Sequence, residues 1–187
     1  MTLILFNKPF GVICQFSPHP SRPSLAEFLK HSDIYPAGRL DADSEGLILL
    51  TDDGSLQQKI NHPKHEKSKT YLVQVEGLAQ PAQLAQLRAP MQLNDFTTQE
   101  CKAVRIEPPH WLWPRKPPVR ERPTIPTDWL ALTLTEGKNR QVRRMTAAVG
   151  LPTLRLVRQS IGPISLATHP LLPGEWCEID PAAWPDD

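Results

Sequence analysis

Three acidic residues alternate in the segment GRLDADSEGLILL, which runs from Gly38 to Leu50. Asp41, Asp43 and Glu45 stand directly before an unbroken apolar run, and Arg39 stands two residues before the first acid. A carboxylate beside a buried strand costs free energy unless water or a partner stabilises its charge. The pattern therefore indicates one of three roles for these acids: metal ligands, a catalytic carboxylate, or polar loop residues.

The metal interpretation fails on the residues around the acids. Their spacing matches part of an EF-hand calcium loop, but the twelfth position is Asp52, where a bidentate Glu is needed. Pro36 disfavours a helix entering the loop, and LILLT followed by DDG predicts a strand and a turn. His62 and His65 lack the further ligands that a transition metal requires. We therefore expect no metal.

A second candidate for chemistry is a basic segment between Gly137 and Gly174 that contains no Asp or Glu. On a predicted helix over 139–149, Val142 and Met145 share an apolar face, and arginines lie opposite. Guanidinium groups form bidentate bonds with phosphates, so the segment predicts a surface that binds a polyanion such as a nucleic acid, although a solvated basic face stays open. Its cations are Lys138, Arg140, Arg143, Arg144, Arg155 and Arg158. Arg39, beside the acidic segment, is a further candidate for binding the polyanion.

The chain contains 21 prolines, and many of them lie between Pro108 and Pro126. The segment PPHWLWPRKPPVRERPTIP predicts a long extended loop with aromatic and basic side chains. It is either a stiff surface loop or a loop that stacks on a nucleic acid and neutralises its charge, and we expect exposed tryptophans in it. The candidate nucleic-acid contacts are Trp111, Trp113, Arg115 and Lys116, with Arg120 and Arg122 beyond them.

The predicted strands and helices that position these residues indicate an α+β fold with a mixed, mostly antiparallel central sheet and flanking helices. Alternating and apolar runs predict strands over 3–6, 12–15, 47–51, 69–76, 100–106, 129–135, 154–157, 164–166 and 176–179. Helices are predicted over 25–30, after a capping box that begins at Ser24, and over 55–61, 80–88 and 139–149.

The length of 187 residues fits one globular domain. The net charge of +1 argues against binding to nucleic acid through the total charge of the protein. No secretory signal and no run of ~20 apolar residues is present, so we expect a cytoplasmic protein with no membrane segment. Cys14, Cys101 and Cys177 are far apart, which indicates reduced thiols. We expect a monomer.

Several segments, taken in order, resemble the pseudouridine synthase family, in its ribosomal small-subunit synthase branch. These segments are NKPFGVICQ, GRLD with SEGLILLTDDG, KTYLVQVEG, EGKNRQVRRM, LVRQSIGPISL and LLPGEW. They extend over almost the whole chain. The resemblance implies the pseudouridine synthase fold with a catalytic cleft, over a single domain of residues 1–187 without an N-terminal S4 domain.

The resemblance also implies roles for individual residues. Asp41 is the catalytic aspartate, Tyr71 stacks on the uracil ring, and Arg143 pairs with Asp41. Four further residues line or support the cleft, namely Leu156, Arg158, Leu172 and Gly174. The implied reaction converts a specific uridine of large-subunit (23S) ribosomal RNA to pseudouridine without a cofactor. Two alternatives remain: a non-catalytic RNA-binding module that uses the basic surface from Arg140 to Arg158, and a hydrolase with Asp41 and Asp43 as a carboxylate pair.

Overall fold

The computed structural model describes residues 1–62 and 67–185. The chain forms two compact units. The first unit comprises Met1–Lys67 and Arg158–Asp187, and the second comprises Ser68–Val157. The acidic loop of GRLDADSEG therefore belongs to the first unit, and the proline-rich loop belongs to the second.

Nine strands and three α-helices make up the described residues. The strands are β1 (Leu3–Lys8), β2 (Tyr35–Ala37), β3 (Glu45–Thr51), β4 (Lys69–Glu76), β5 (Lys102–Ile106), β6 (Thr127–Leu134), β7 (Thr153–Ile161), β8 (Ile164–Ser165) and β9 (Trp176–Ile179). The helices are α1 (Gly54–Asn61), α2 (Pro81–Arg88) and α3 (Gln141–Ala148), with short 3-10 turns at Leu25–Glu27 and Pro181–Ala183. The α+β class with a mixed, mostly antiparallel sheet is confirmed.

Strands β1 and β3 form the centre of the first unit. They pair antiparallel from Leu3 opposite Thr51 to Lys8 opposite Gly46, and β9 pairs with the other edge of β1. Every residue of β1 and β3 is buried, because both faces of this pair are covered. This burial explains why both strands have continuous apolar runs rather than alternating patterns.

The second unit is organised around β4 and β6, which pair antiparallel over their full lengths. One face of this pair carries Val73 and Leu132, which form a buried cluster with Val142 and Met145 of α3. Val149 packs against the same cluster. The predicted apolar face of the basic helix is therefore confirmed, and its burial holds α3 on this face of the sheet.

Two predicted elements are wrong. Residues 12–15 form a single bridge from Ile13 to Ser24 rather than a strand. The helix predicted over 25–30 shrinks to one 3-10 turn, because the Ser24 hydroxyl donates to the Phe16 carbonyl at 3.4 Å and does not cap a helix. Strand β2 was not predicted, since Pro36 argues against a strand. It pairs antiparallel with the end of β3.

Candidate active site

Asp41 lies in the loop between β2 and β3, and its side chain is exposed. The loop backbone is nevertheless fixed by hydrogen bonds. The Asp41 carbonyl accepts from the Ser44 N–H at 3.1 Å, and the Ala42 carbonyl accepts from the Gly11 N–H at 2.7 Å. The loop leads directly into the buried strand β3. An accessible carboxylate on a fixed backbone is the arrangement that a catalytic acid or nucleophile needs.

Arg158 braces this loop from inside the first unit. Its Nε donates to the Leu47 carbonyl at 2.9 Å, and its Nη1 donates to the Arg39 carbonyl at 3.5 Å. The two acceptors stand on either side of the acidic segment. Arg158 is only 2% exposed, so its guanidinium is directed into the protein and cannot be the surface RNA contact that the sequence predicted.

Gly46 is required where β3 passes the Arg158 backbone. A Cβ atom at this position would lie 2.4 Å from the Arg158 carbonyl oxygen, which is far inside van der Waals contact. The backbone φ of Gly46 is also +108°, a conformation that side chains other than glycine rarely adopt. The glycine after Glu45 therefore allows the acidic loop and the Arg158 segment to approach closely.

Lys8 is a residue of this site that the sequence did not predict. It is the last residue of β1 and has no exposed surface. Its Nζ donates to the carbonyls of Val12 at 2.7 Å and Pro9 at 2.8 Å, and more weakly to Ala42 at 3.4 Å. The bond to Ala42 links the NKPFG segment to the loop that carries Asp41. A lysine only two residues after the apolar run LILF was the signal available in the sequence.

The electrostatics of Lys8 reflect its burial. Desolvation lowers the pKa of Lys8 from 10.5 to about 8. Cys14 and the acids Glu45, Asp43 and Asp41 oppose this shift, because each favours the charged ammonium. Lys8 thus places a buried positive charge near the three acids of the loop. Burial also raises the pKa of the neighbouring Cys14 thiol.

The other two predicted catalytic residues belong to the second unit. Tyr71 lies on β4 opposite Leu132, is half-buried, and packs against the hydrophobic cluster below α3. Arg143 is half-buried on α3. The pairing of Arg143 with Asp41 stays a prediction.

The remaining cations of α3 differ in their surroundings. Arg144 forms an ion pair with Asp95, and its guanidinium lies 5.2 Å from the centre of the Phe96 ring. Lys138 is exposed, and its Nζ lies 6.0 Å from the same ring. Arg140 is exposed in a left-handed conformation with φ of 52° and begins the helix. RNA binding by these residues remains a prediction, and at Arg144 it would compete with Asp95.

The expectation of exposed tryptophans is wrong for Trp113, which is 5% exposed. Arg155 is also buried, since its guanidinium lies 5.9 Å from the ring centres of both Trp113 and Trp129 and donates to the Trp113 carbonyl at 2.8 Å. These side chains hold the proline-rich loop and are not surface RNA contacts. Trp111 is half-buried and Lys116 is exposed.

The predicted cleft residues have diverse placements. Leu156 is buried in the cluster of the second unit. Leu172 is 60% exposed. Gly174 has φ of +86°, and its N–H donates to the Asn7 carbonyl at 2.8 Å, next to Lys8. Their contribution to a cleft stays a prediction.

Residues 1–62 and 67–185 contain neither a membrane-spanning helix nor a cluster of metal ligands. No helix there is long and apolar enough to cross a membrane. The same residues contain no group of three or more His, Cys, Asp or Glu side chains placed to hold a metal ion. His65, one of the histidines considered above, lies outside the described residues.

Comparison with known proteins identifies the family. A family model described as RNA pseudouridylate synthase matches residues 2–148. The chain belongs to the pseudouridine synthase family. This synthase is 56% identical over 162 residues to "Ribosomal large subunit pseudouridine synthase E" of Xanthomonas axonopodis pv. citri, covering 86% of this chain and 85% of that protein. It is 52% identical over 177 residues to the protein of the same name from Vibrio vulnificus, covering 95% and 74%.

A solved structure supports the same assignment. The crystal structure of a pseudouridylate synthase superposes on this synthase with a TM-score of 0.79 at 28% sequence identity, covering 97% of this chain and 71% of that chain. The enzyme is therefore an RNA pseudouridine synthase, an isomerase that converts uridine in RNA to pseudouridine. The expected family and reaction class are confirmed.

Proposed function

We propose that this synthase isomerises a specific uridine of large-subunit (23S) ribosomal RNA, with Asp41 as its catalytic carboxylate. The names of the relatives that are 56% and 52% identical support the RNA class. The observation that carries the role of Asp41 is an exposed carboxylate on a loop whose backbone is held by Arg158, Gly11 and Lys8.

The reaction exchanges bonds within one nucleotide. The bond from N1 of uracil to C1′ of the ribose breaks, a bond from C5 to C1′ forms, C5 loses its proton, and N1 gains one. A carboxylate held beside the nucleotide serves as nucleophile or as base for such a change. Rigid positioning contributes because the loop does not need to reorganise during the reaction.

Tyr71 and Arg143 complete the proposed site. The target base must leave its stack, which costs a few kcal/mol. Stacking on the Tyr71 ring offsets roughly 1–3 kcal/mol of that cost. The ring is fixed by packing against the hydrophobic cluster of the second unit. In this proposal the Arg143 guanidinium pairs with Asp41 and keeps the carboxylate charged.

The test measures tritium release from a large-subunit ribosomal RNA transcript labelled at C5 of uridine. Wild type releases tritium to a plateau of one per RNA, and Asp41→Asn releases none while its RNA affinity stays within about twofold. Asp33→Asn is the matched control, since Asp33 is exposed and its φ of 61° suits asparagine. An active Asp41→Asn enzyme would refute the assignment.

Two further outcomes distinguish the alternatives. A wild-type chain that binds the RNA but releases no tritium behaves as a non-catalytic RNA-binding module. Release of free uracil by wild type, with no release by either Asp41→Asn or Asp43→Asn, indicates hydrolysis by a carboxylate pair. The proposed isomerase instead leaves the base attached, so that the product nucleotide has the same mass as the uridine nucleotide from which it forms.

A further inference from the structure

A pocket of about 450 Å³ lies in the second unit, on a surface to which the reaction above assigns no role. The proline-rich loop forms one wall, and the sheet forms the floor. Its lining includes Gln74, Arg120, Arg122, Trp129 and Leu154. A pocket of this size falls in the range that binds a small molecule or one part of a larger ligand.

The pocket lies on the sheet face opposite α3. Gln74 of β4 stands directly across from Trp129 of β6. Side chains alternate along a strand, so Gln74 points away from the face that carries Tyr71 and Val73. Val73 packs in the cluster with α3, which also carries Arg143. A ligand in the pocket is therefore separate from Tyr71 and Arg143.

The loop wall is held in place by arginine side chains directed inward. Arg115 donates to the carbonyls of Pro117 at 2.8 Å, Pro118 at 3.3 Å and Leu154 at 3.3 Å. The buried Arg155 lies beside the Trp129 ring, 5.9 Å from its centre. These contacts fix the wall and the floor before a ligand binds. Ordering them on binding would therefore cost little conformational entropy.

The lining of the pocket is basic on balance, with four arginines against one acid, Glu121. Arg120 and Arg122 are both exposed. Arg122 forms an ion pair with Glu76 at 3.5 Å, which is weak because the arginine is half exposed. Exposed guanidinium groups above an aromatic floor match one chemical class of ligand: an aromatic base that stacks on the ring, joined to a phosphate that the arginines neutralise.

We propose that this pocket binds a nucleotide of the ribosomal RNA substrate other than the target uridine. Its base stacks on Trp129 beside the Gln74 amide, and its phosphate contacts Arg120 and Arg122. The inference rests on the proposed function for the identity of the RNA. The pocket then acts as an accessory docking site that positions the RNA without taking part in the chemistry.

The first experiment locates RNA on the 187-residue chain. A large-subunit ribosomal RNA transcript containing 4-thiouridine is irradiated with the Asp41→Asn enzyme, and cross-linked peptides are identified by mass spectrometry. We expect cross-links in peptides that contain Trp129 or residues 118–125, besides those from the catalytic loop. Cross-links confined to other peptides would overturn the proposal.

The second experiment separates the pocket from general charge. The double variant Arg120→Ala/Arg122→Ala is compared with Arg22→Ala/Lys102→Ala, which removes two exposed cations elsewhere. We expect the pocket variant to raise KM for the transcript at least about tenfold with kcat unchanged. The salt dependence of binding should also fall by about 1.4 in logarithmic slope, the amount expected for two lost contacts to single-stranded phosphates.

Trp129→Leu tests the stacking surface, and we expect an affinity loss of about 5- to 150-fold, the range for one base stacked on an aromatic ring. If it disturbs folding, the arginine double variant still decides. Equal KM values for the pocket and control variants would overturn the proposal. Tight binding of free uridine monophosphate, without cross-linking of the transcript here, would also overturn it in favour of a free nucleotide.

Failure of the docking site and failure of the proposed function give different results. A wild-type enzyme that forms no pseudouridine yet cross-links through the pocket would refute the reaction and keep the docking site. An active wild-type enzyme whose pocket variant matches the control would refute the docking site alone.

Discussion

Replacing Lys8 with methionine keeps a long side chain in a buried position but removes its ammonium group. Lys8 has no exposed surface, and burial lowers its pKa from 10.5 to about 8. Each pKa unit corresponds to about 1.4 kcal/mol, so burying the charged form costs roughly 3 kcal/mol at neutral pH. Methionine does not carry this cost, although it cannot donate a hydrogen bond.

The opposing contribution comes from the carbonyls that Lys8 satisfies. Without the ammonium, the Val12 and Pro9 carbonyls lose a donor, and each buried acceptor left unsatisfied costs about 1–3 kcal/mol. The Ala42 carbonyl keeps its bond from the Gly11 N–H. At pH 7 the two contributions partly cancel, and Lys8→Met changes the free energy of unfolding by about −3 to +1 kcal/mol.

The pH dependence is the sharper prediction. Between pH 8 and 10.5 the unfolded chain keeps a proton on Lys8 that the folded chain has lost, so the stability of the wild type rises with pH. Below pH 8 the cost of burying the charge is fully present. The variant lacks this gain. The free energy of unfolding of wild type should therefore increase by roughly 3 kcal/mol relative to Lys8→Met over this window.

Urea unfolding of both proteins at pH 7.5, 8.5, 9.5 and 10.5 measures this difference. Groups that do not interact with Lys8 titrate alike in both proteins and cancel. Lys102→Met, which removes an exposed lysine, controls for loss of the charge itself. A wild-type-minus-variant difference that stays flat across the window would refute the reasoning about Lys8.

Three other substitutions test the loop and the base-binding ring. Gly46→Ala should lower the free energy of unfolding by at least about 1–3 kcal/mol, the cost of its left-handed conformation, with the clash against Arg158 added; an unchanged melting temperature would contradict this. Arg158→Lys keeps the charge but weakens the bonds to the Leu47 and Arg39 carbonyls. We therefore expect kcat to fall while the salt dependence of RNA binding stays constant. A smaller salt dependence of binding with constant kcat would instead make Arg158 a phosphate contact. Tyr71→Phe should retain most activity and Tyr71→Ala should lose about 5- to 150-fold in kcat/KM, whereas equal losses would assign the role to the hydroxyl.

Local patterns in the sequence were sufficient for much of the fold. The alternation in KTYLVQVE and WCEI predicted β4 and β9 with the bounds that the structure shows. The spacing of Val142 and Met145 predicted the buried face of α3. Strand β2 was missed because its pairing with β3 outweighs the unfavourable Pro36, which an edge position tolerates.

The site was harder to predict because its contacts join distant segments. Lys8 is buried only because the carbonyls of residues 9, 12 and 42 converge on it. Trp113 and Arg155 are 42 residues apart, and their contact turns an expected surface into interior. Spacing alone did not distinguish Asp41 from Asp43 and Glu45. In the structure Glu45 is buried and Asp41 is exposed, and the choice of Asp41 came from the family resemblance.

Chemical mapping of pseudouridine in large-subunit ribosomal RNA tests the central claim most directly. RNA is isolated from cells that lack this synthase and from the same cells complemented with wild type, Asp41→Asn or Asp33→Asn. The maps of pseudouridine in these RNAs are then compared. We predict one pseudouridine that is absent without the enzyme, restored by wild type and Asp33→Asn, and not restored by Asp41→Asn. Restoration by Asp41→Asn, or an unchanged map in cells without the enzyme, would contradict the account.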